Sequence, residues 1–250
     1  MILPTYNERA TIGAVLDGLT ATGPSSTSWW STTGHRTARA RSSGSARRPI
    51  PTSGWWSARA SRVSRARTRS GSAQATAEGY DLAVEMDSDL SHRPEELPRL
   101  LEAAERHHLV IGSRYIPGGS VTNWSRARVA LSKAGNLYAR FCLGFDLHDA
   151  TSGFRVYRRE ALEEITATPV TSDGYGFQIE LVYRAWNLGL SVGEAPISFR
   201  EREHGQSKIS RRIVVEALWL VTLWGLRARF RPDPEPEPPS QTPGMYVMTS

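Results

Sequence analysis

The chain is nearly devoid of cysteine. Cys142 is the single one in 250 residues, which excludes an internal disulfide framework. Its setting, ARFCLG, reads as a buried thiol rather than a nucleophile, and a reducing, cytoplasmic compartment fits. Long apolar runs are also lacking: the longest, around Ala217 to Leu226, is too short to cross a bilayer. The opening stretch MILPTYNER turns polar at Thr5 to Arg9, which is not the pattern of a secretory leader. The sharpest absence is of charge of one sign. From Gly18 to Ala77 there is no aspartate, glutamate or lysine, yet there are ten arginines.

A chain of 250 residues that is 39% hydrophobic is expected to form one sizeable domain. Its net charge of +6 would ordinarily point to a nucleic-acid or membrane-surface partner. Removing the ten arginines of 18–77 leaves the rest at −4, so the basic character belongs to one segment. That segment sets paired tryptophans (Trp29, Trp30 and Trp55, Trp56) in an Arg/Ser/Thr/Ala/Gly background with no period of 3.6 or 2. Nucleic-acid-binding arms normally mix lysine with arginine. The composition instead resembles GC-rich coding DNA read out of frame. Read one base earlier, Trp29-Trp30-Ser31 contains Val-Val and the following threonines are compatible with Asp-Asp, so the hidden text can run VVDDGSPDGT. The second tryptophan pair likewise yields Val-Val-Val. Two compensating shifts, near 22–27 and 72–77, account for both junctions. The competing reading is a true basic arm that binds RNA or DNA in a salt-sensitive way.

Outside that segment the residues carry several motifs. MILPTYNE reads as a buried strand entering a loop, then a helix from about Glu8 to Leu19 with Ile12, Val15, Leu16 and Leu19 on one face. Ligands in α/β sheets sit beyond the carboxyl ends of strands, where Thr5 to Glu8 would fall; a helix cap with a surface loop is equally compatible. YDLAVEMDSD is a second strand ending in Asp87-Ser88-Asp89. Residues two apart in an extended chain point the same way, so both carboxylates can converge on a hard cation, although Asp-x-Asp alone also fits a solvated turn. A helix, RPEELPRLLEAAERH, follows. LVIGSRYI is another buried strand with Arg114 at its end, suited to phosphate by its planar fork or to a surface ion pair. SDGYGFQIELVYRAWNLG reads as a helix with Ile179, Leu181, Val182 and Trp186 as core, while Gln178 and Glu180 are polar and Glu180 also fits a capping or core-edge carboxylate. EREHGQSKIS places Arg202 and Lys208 around a glycine turn before a helix, an anion site or an exposed charged loop. The helix from about Ser207 to Phe230 mixes apolar and aromatic residues with basic ends, which fits a membrane interface or a helix covering the sheet. The proline-rich stretch 231–250 is expected to be disordered. His107, His108, His148 and His204 show no metal-ligand spacing, and His92 merely follows the Asp-x-Asp loop.

In order, LPTYNER, the hidden VVDDGSPDGT, VEMDSDLSHRPEELPRL, IGSRYIPGGSVTNW, DATSGFRVYRREAL and EREHGQSKIS resemble the polyprenol-phosphate mannosyltransferases, dolichyl-phosphate-mannose-synthase-like members of the inverting family 2 glycosyltransferases. The resemblance covers about 1–24 and 76–229; the ordered set carries it, not any one motif. It implies an α/β, Rossmann-like GT-A fold over residues 1–230, with 25–75 aberrant and 231–250 a tail. It implies transfer of mannose from GDP-mannose to a polyprenyl phosphate; UDP-glucose-using relatives share most motifs. By resemblance, Pro4, Thr5, Tyr6, Asn7 and Glu8 help hold the donor nucleotide, and Asp87 and Asp89 hold Mg²⁺ or Mn²⁺ with the diphosphate. Ser91 stands where some relatives carry a glutamine ligand. Arg114 lies against the acceptor phosphate, bordered by Gly118-Gly119 and Asn123-Trp124; Asp149 to Arg155, Gln178 and Glu180 form the far wall and sugar site. Arg202 and Lys208 grip the diphosphate as a mobile lid, and Asp89, Arg114 and Arg202 are the catalytic set. The implied setting is peripheral, at the inner face of the cell membrane, with room for a membrane-anchoring partner and none for nucleic acid. The family's first acidic pair, which contacts the nucleotide's base and ribose, is missing from the chain as written. Residues 24–76 are therefore expected to lack the family's helix-strand units, and donor binding is expected to suffer.

Overall fold

The structure, a computed structural model, describes residues 2–3, 12–22, 31–32, 81–87, 89–170, 172, 175–201 and 211–230. Pro4 to Glu8, Ser88, Arg202, His204, Lys208, most of the arginine-rich segment and the tail lie outside the described residues.

Apolar runs become the inner strands of a sheet. In chain order the elements are β1 (Ile2–Leu3), α1 (Ile12–Thr22), β2 (Ser31–Thr32), β3 (Leu82–Glu85), a 3-10 turn (Pro94–Glu96) leading into α2 (Leu97–Ala104), β4 (Leu109–Ser113), β5 (Ser120–Thr122), α3 (Arg126–Leu143), β6 (Arg155–Arg158), α4 (Arg159–Thr166), α5 (Tyr175–Asn187), β7 (Val192–Pro196), β8 (Ser198–Arg200) and α6 (Arg211–Arg229). The main sheet runs β2-β1-β3-β6-β4-β7, and β5 pairs with β8 in a small parallel sheet. Only β6 is antiparallel to its neighbours, β3 and β4. The other pairs are parallel. Side chains alternate across a strand, so each inner strand supplies both faces. Ala83, Leu109, Ile111 and Tyr157 pack under α3, α4, α5 and α6; Val84, Val110 and Val156 pack with Val15, Leu19, Leu97 and Leu100 of α1 and α2. All five residues of β4 are buried, as expected of a central strand covered on both faces.

Four sequence expectations need correction. The first helix spans Ile12–Thr22, running past Leu19. Trp186, expected in the core, is 41% exposed, because α5 buries the face bearing Phe177, Leu181, Val182 and Ala185. The arginine-rich segment does contribute a strand: Ser31–Thr32 pairs in parallel with Ile2–Leu3 at the sheet edge. A ladder is made by backbone groups, so the edge of β1 accepts this two-residue partner whatever its side chains. Cys142, read as buried, is half-buried and packs against the core beneath α6.

Candidate active site

The carboxyl end of β3 delivers the acidic loop. β3 stops at Glu85, so Asp87 and Asp89 stand on the loop that follows the strand. Leu90, at φ 63°, turns that loop through the left-handed region, a costly conformation for a leucine. Asp89 is 5% exposed. Its Oδ1 accepts from the Ser91 amide at 3.0 Å and the Ser91 hydroxyl at 2.5 Å, so Ser91 braces the aspartate. The Asp87 side chain is 39% exposed, with Oδ2 3.6 Å from His92 Nε2. Two carboxylates without a third acid, histidine or cysteine fit a hard cation that draws its remaining ligands from water and phosphate; among the described residues there is no group of three such side chains.

Beneath the loop lies a polar network. Glu85 is 1% exposed and accepts from Tyr157 Oη and Gln178 Nε2, each at 3.2 Å. Burial pushes its pKa up, against the pull of Arg155 and the Gln178 hydrogen bond, and the Asp87 charge adds to the rise. Fully buried Arg155 donates to the carbonyls of Ala150 (2.6 Å), Ser152 (2.8 Å) and Gln178 (2.9 Å), so it fastens the 149–155 turn to α5. Gln178 thus reaches the floor of the acidic loop. Glu180 faces elsewhere: its carboxylate accepts from Ser172 N (3.0 Å), Ser172 Oγ and Arg184 Nη2 (2.6 Å).

Across β8 stands a cationic and aromatic cluster. Arg114 immediately follows β4 and is 7% exposed. Its Nε and Nη2 donate to the two Asp149 oxygens at 2.6 Å each, and Nη2 also donates to Thr151 Oγ1 at 2.9 Å. Burial works against the guanidinium charge, but Asp149, through its charge and hydrogen bonds, outweighs it, and the pKa rises above the usual arginine value. The guanidinium sits 5.2–5.4 Å from the rings of Tyr115, Phe199 and Trp124. Two α3 cations border the same rings: Arg128 lies 4.0 Å over Trp124, and Lys133 Nζ lies 5.5 Å from the Tyr115 ring. Arg128, Lys133 and Glu85 carry no motif of their own that marks them in the sequence, whereas Arg155 closes the 149–155 wall that the resemblance implies. The spacing Arg128…Ser132-Lys133 on a helix opened by the Ser125 cap was the signal for the first pair.

β8 joins the two halves. Arg200 N donates to Ser91 O at 3.0 Å, the Phe199 ring meets both His92 and Trp124 at 5.2 Å, and Glu201 accepts from Arg128 at 2.6 Å. The chain then enters 202–210, which carries Arg202 and Lys208.

Comparison with known proteins adds names to this geometry. Residues 59–166 match the sequence family described as Glycosyl transferase family 2, a match that begins inside the arginine-rich segment. The chain is 55% identical over 152 residues to a polyprenol monophosphomannose synthase of Mycolicibacterium smegmatis, covering 60% of this chain and 57% of that one. It is 52% identical over 152 residues to an undecaprenyl-phosphate mannosyltransferase of Micrococcus luteus, covering 61% and 63%. It therefore spans less than two thirds of either curated relative. Among solved structures, glucosyl-3-phosphoglycerate synthase of Mycobacterium tuberculosis, in complex with Mn²⁺, UDP-glucose and phosphoglyceric acid, superposes with TM-score 0.59 at 19% identity over 90% of this chain and 78% of that one. The same enzyme with Mn²⁺, UDP and phosphoglyceric acid gives TM-score 0.58 at 21% identity, covering 90% and 77%. At that identity the likeness is one of fold.

Proposed function

From a chain that carries a family 2 glycosyltransferase match over 59–166 on a GT-A sheet, we propose that the protein transfers mannose from GDP-mannose to a polyprenyl phosphate, with inversion at the anomeric carbon. The observation that carries this reading is the placement of an acidic loop and a cation-aromatic cluster on either side of one strand, β8, in a chain more than half identical to two polyprenyl-phosphate mannosyltransferases over 152 residues.

A phosphate monoester has a second pKa of about 6, so the acceptor arrives largely ionised and needs no strong base. Catalysis rests on alignment and on charge stabilisation. Asp87 and Asp89 would hold a Mg²⁺ or Mn²⁺ ion, which supplies positive charge against the departing diphosphate. Arg202 and Lys208 add to that charge from the segment after β8, and Pro4 to Glu8 hold the nucleotide. Arg114 spends its Nε and Nη2 on Asp149, so it is a fixed frame with little net charge. Lys133 therefore supplies net positive charge that draws the acceptor phosphate, Arg128, which shares its charge with Glu201, lies beside it, and Trp124 and Tyr115 wall it. Gln178 borders the donor sugar from the floor of the loop, whereas Glu180 braces the start of α5.

The lipid acceptor brings the protein to a bilayer. Leu131, Leu137 and Phe141 of α3 and Val215, Leu218, Trp219 and Leu226 of α6 are exposed, and Arg227 and Arg229 close α6. No described helix is long and apolar enough to cross a membrane. These helices lie in the interface of an anionic leaflet, peripheral at the inner face of the cell membrane, alone or with an anchoring partner.

The test is incubation of the purified protein with radiolabelled GDP-mannose or UDP-glucose, polyprenyl phosphate and Mg²⁺ or Mn²⁺. Label entering the lipid phase only from GDP-mannose, and only with the cation, supports the reading. Transfer from UDP-glucose alone contradicts the donor assignment.

A further inference from the structure

His92 is 2% exposed, and neither ring nitrogen has a hydrogen-bond partner among the described residues. The imidazole is held between Phe154 and Phe199, with ring centroids 5.4 and 5.2 Å away. Its ionic neighbour is Asp87, whose Oδ2 stands 3.6 Å from Nε2. That separation is just beyond a hydrogen bond and within reach of a small turn of the carboxylate. The same oxygen is confined by Gly153, where an added Cβ would lie 3.1 Å from it. A buried ring N–H with no acceptor is unfavourable, and packing between two aromatic rings gives it no route to water. A phenylalanine would fill such a slot without that penalty. The histidine therefore calls for an acceptor, and Asp87 is the one it faces.

We propose that His92 is the positioning residue of the acidic loop: its Nε2–H donates to Asp87 Oδ2 when that carboxylate turns to hold a divalent cation, which fixes the other oxygen toward the cation. This inference rests on reading Asp87 and Asp89 as the cation site. Hydrogen bonds from an outer group to a ligating carboxylate set its orientation and raise the affinity for the metal. The device is also tied to β8, since Phe199 touches the ring and the next amide, Arg200 N, donates to Ser91 O in the acidic loop. Loop, histidine and strand are fastened together just before the chain enters 202–210.

The experiment is titration of the full chain with Mn²⁺ alone, read by the electron paramagnetic resonance signal of the free ion, with thermal melting as a fold control. Asp87→Asn is expected to abolish binding. His92→Phe is expected to weaken binding about tenfold with little change in melting temperature. His92→Leu, a second variant without a donor, is expected to do the same. In His92→Gln the amide nitrogen reaches the place of Nε2, and most of the affinity is expected to survive. Wild-type binding by His92→Phe or His92→Leu, alongside loss in Asp87→Asn, overturns the role of His92 alone. Equal weakening in folded Phe and Gln variants reduces His92 to packing and also overturns it. Wild-type binding by Asp87→Asn overturns the cation site itself.

Discussion

Asp149 determines how Arg114 can be used. The pair is buried, bidentate and further held by Thr151 and Asn136. Breaking such a pair from one side leaves a buried charge without its partner. Asp149→Ala is therefore expected to cost about 3–5 kcal/mol in chemical denaturation. Arg128→Ala should behave oppositely. Its pair with Glu201 is partly exposed, so removal should cost less than about 1 kcal/mol of stability while raising KM for the polyprenyl phosphate and sparing that for the donor. Gly153 sets a third limit, because a methyl group there meets Asp87 Oδ2 at 3.1 Å. Gly153→Ala is expected to displace the carboxylate and lower Mn²⁺ affinity, measured by the same titration, with the fold intact.

At the scale of elements, the contact between α3 and α6 is set by Gly225, where an added Cβ would stand 2.6 Å from the Cys142 carbonyl oxygen. Backbone cannot give way as a flexible side chain does, so Gly225→Ala is expected to pry the helices apart at a cost of about 1–3 kcal/mol, visible as a lower melting temperature. Replacing Trp219, 62% exposed, with aspartate is expected to leave stability near wild type and to weaken sedimentation with anionic vesicles, since it puts a negative charge where an apolar anchor would enter an anionic leaflet. Much of this layout was legible. LAVE and LVIGS are short apolar runs bounded by polar residues and became β3 and β4, and the apolar period of 175–187 became α5. The antiparallel insertion of β6 was not legible, because nothing in GFRVYRRE names the strands it pairs with. Nor was the Asp149–Arg114 pair, which links residues 35 apart through tertiary folding. His92 looked incidental because its meaning comes from Phe154 and Phe199, one of them over a hundred positions away.

For the whole molecule, the decisive feature is the segment that lacks acidic residues. Among the described residues the sheet packs a core on each face, and β1 pairs with the two-residue strand Ser31–Thr32. On the proposed shifted frame, an Asp-Asp pair would fall at about 32–33, where the chain as written carries threonines. A chain rewritten in the restored frame across 24–76 is therefore expected to bind GDP more tightly than the chain as it stands, by calorimetry. Coding DNA that reads through codons 20 to 80 in one unbroken frame shared with close relatives would remove the frame argument. The most direct measurement is mannolipid synthesis from radiolabelled GDP-mannose and polyprenyl phosphate by the frame-restored protein beside its Asp89→Asn variant. The account predicts cation-dependent label in the lipid from the first and a loss of at least about a hundredfold in the second; label undiminished in the variant, or none from the restored protein, would contradict it.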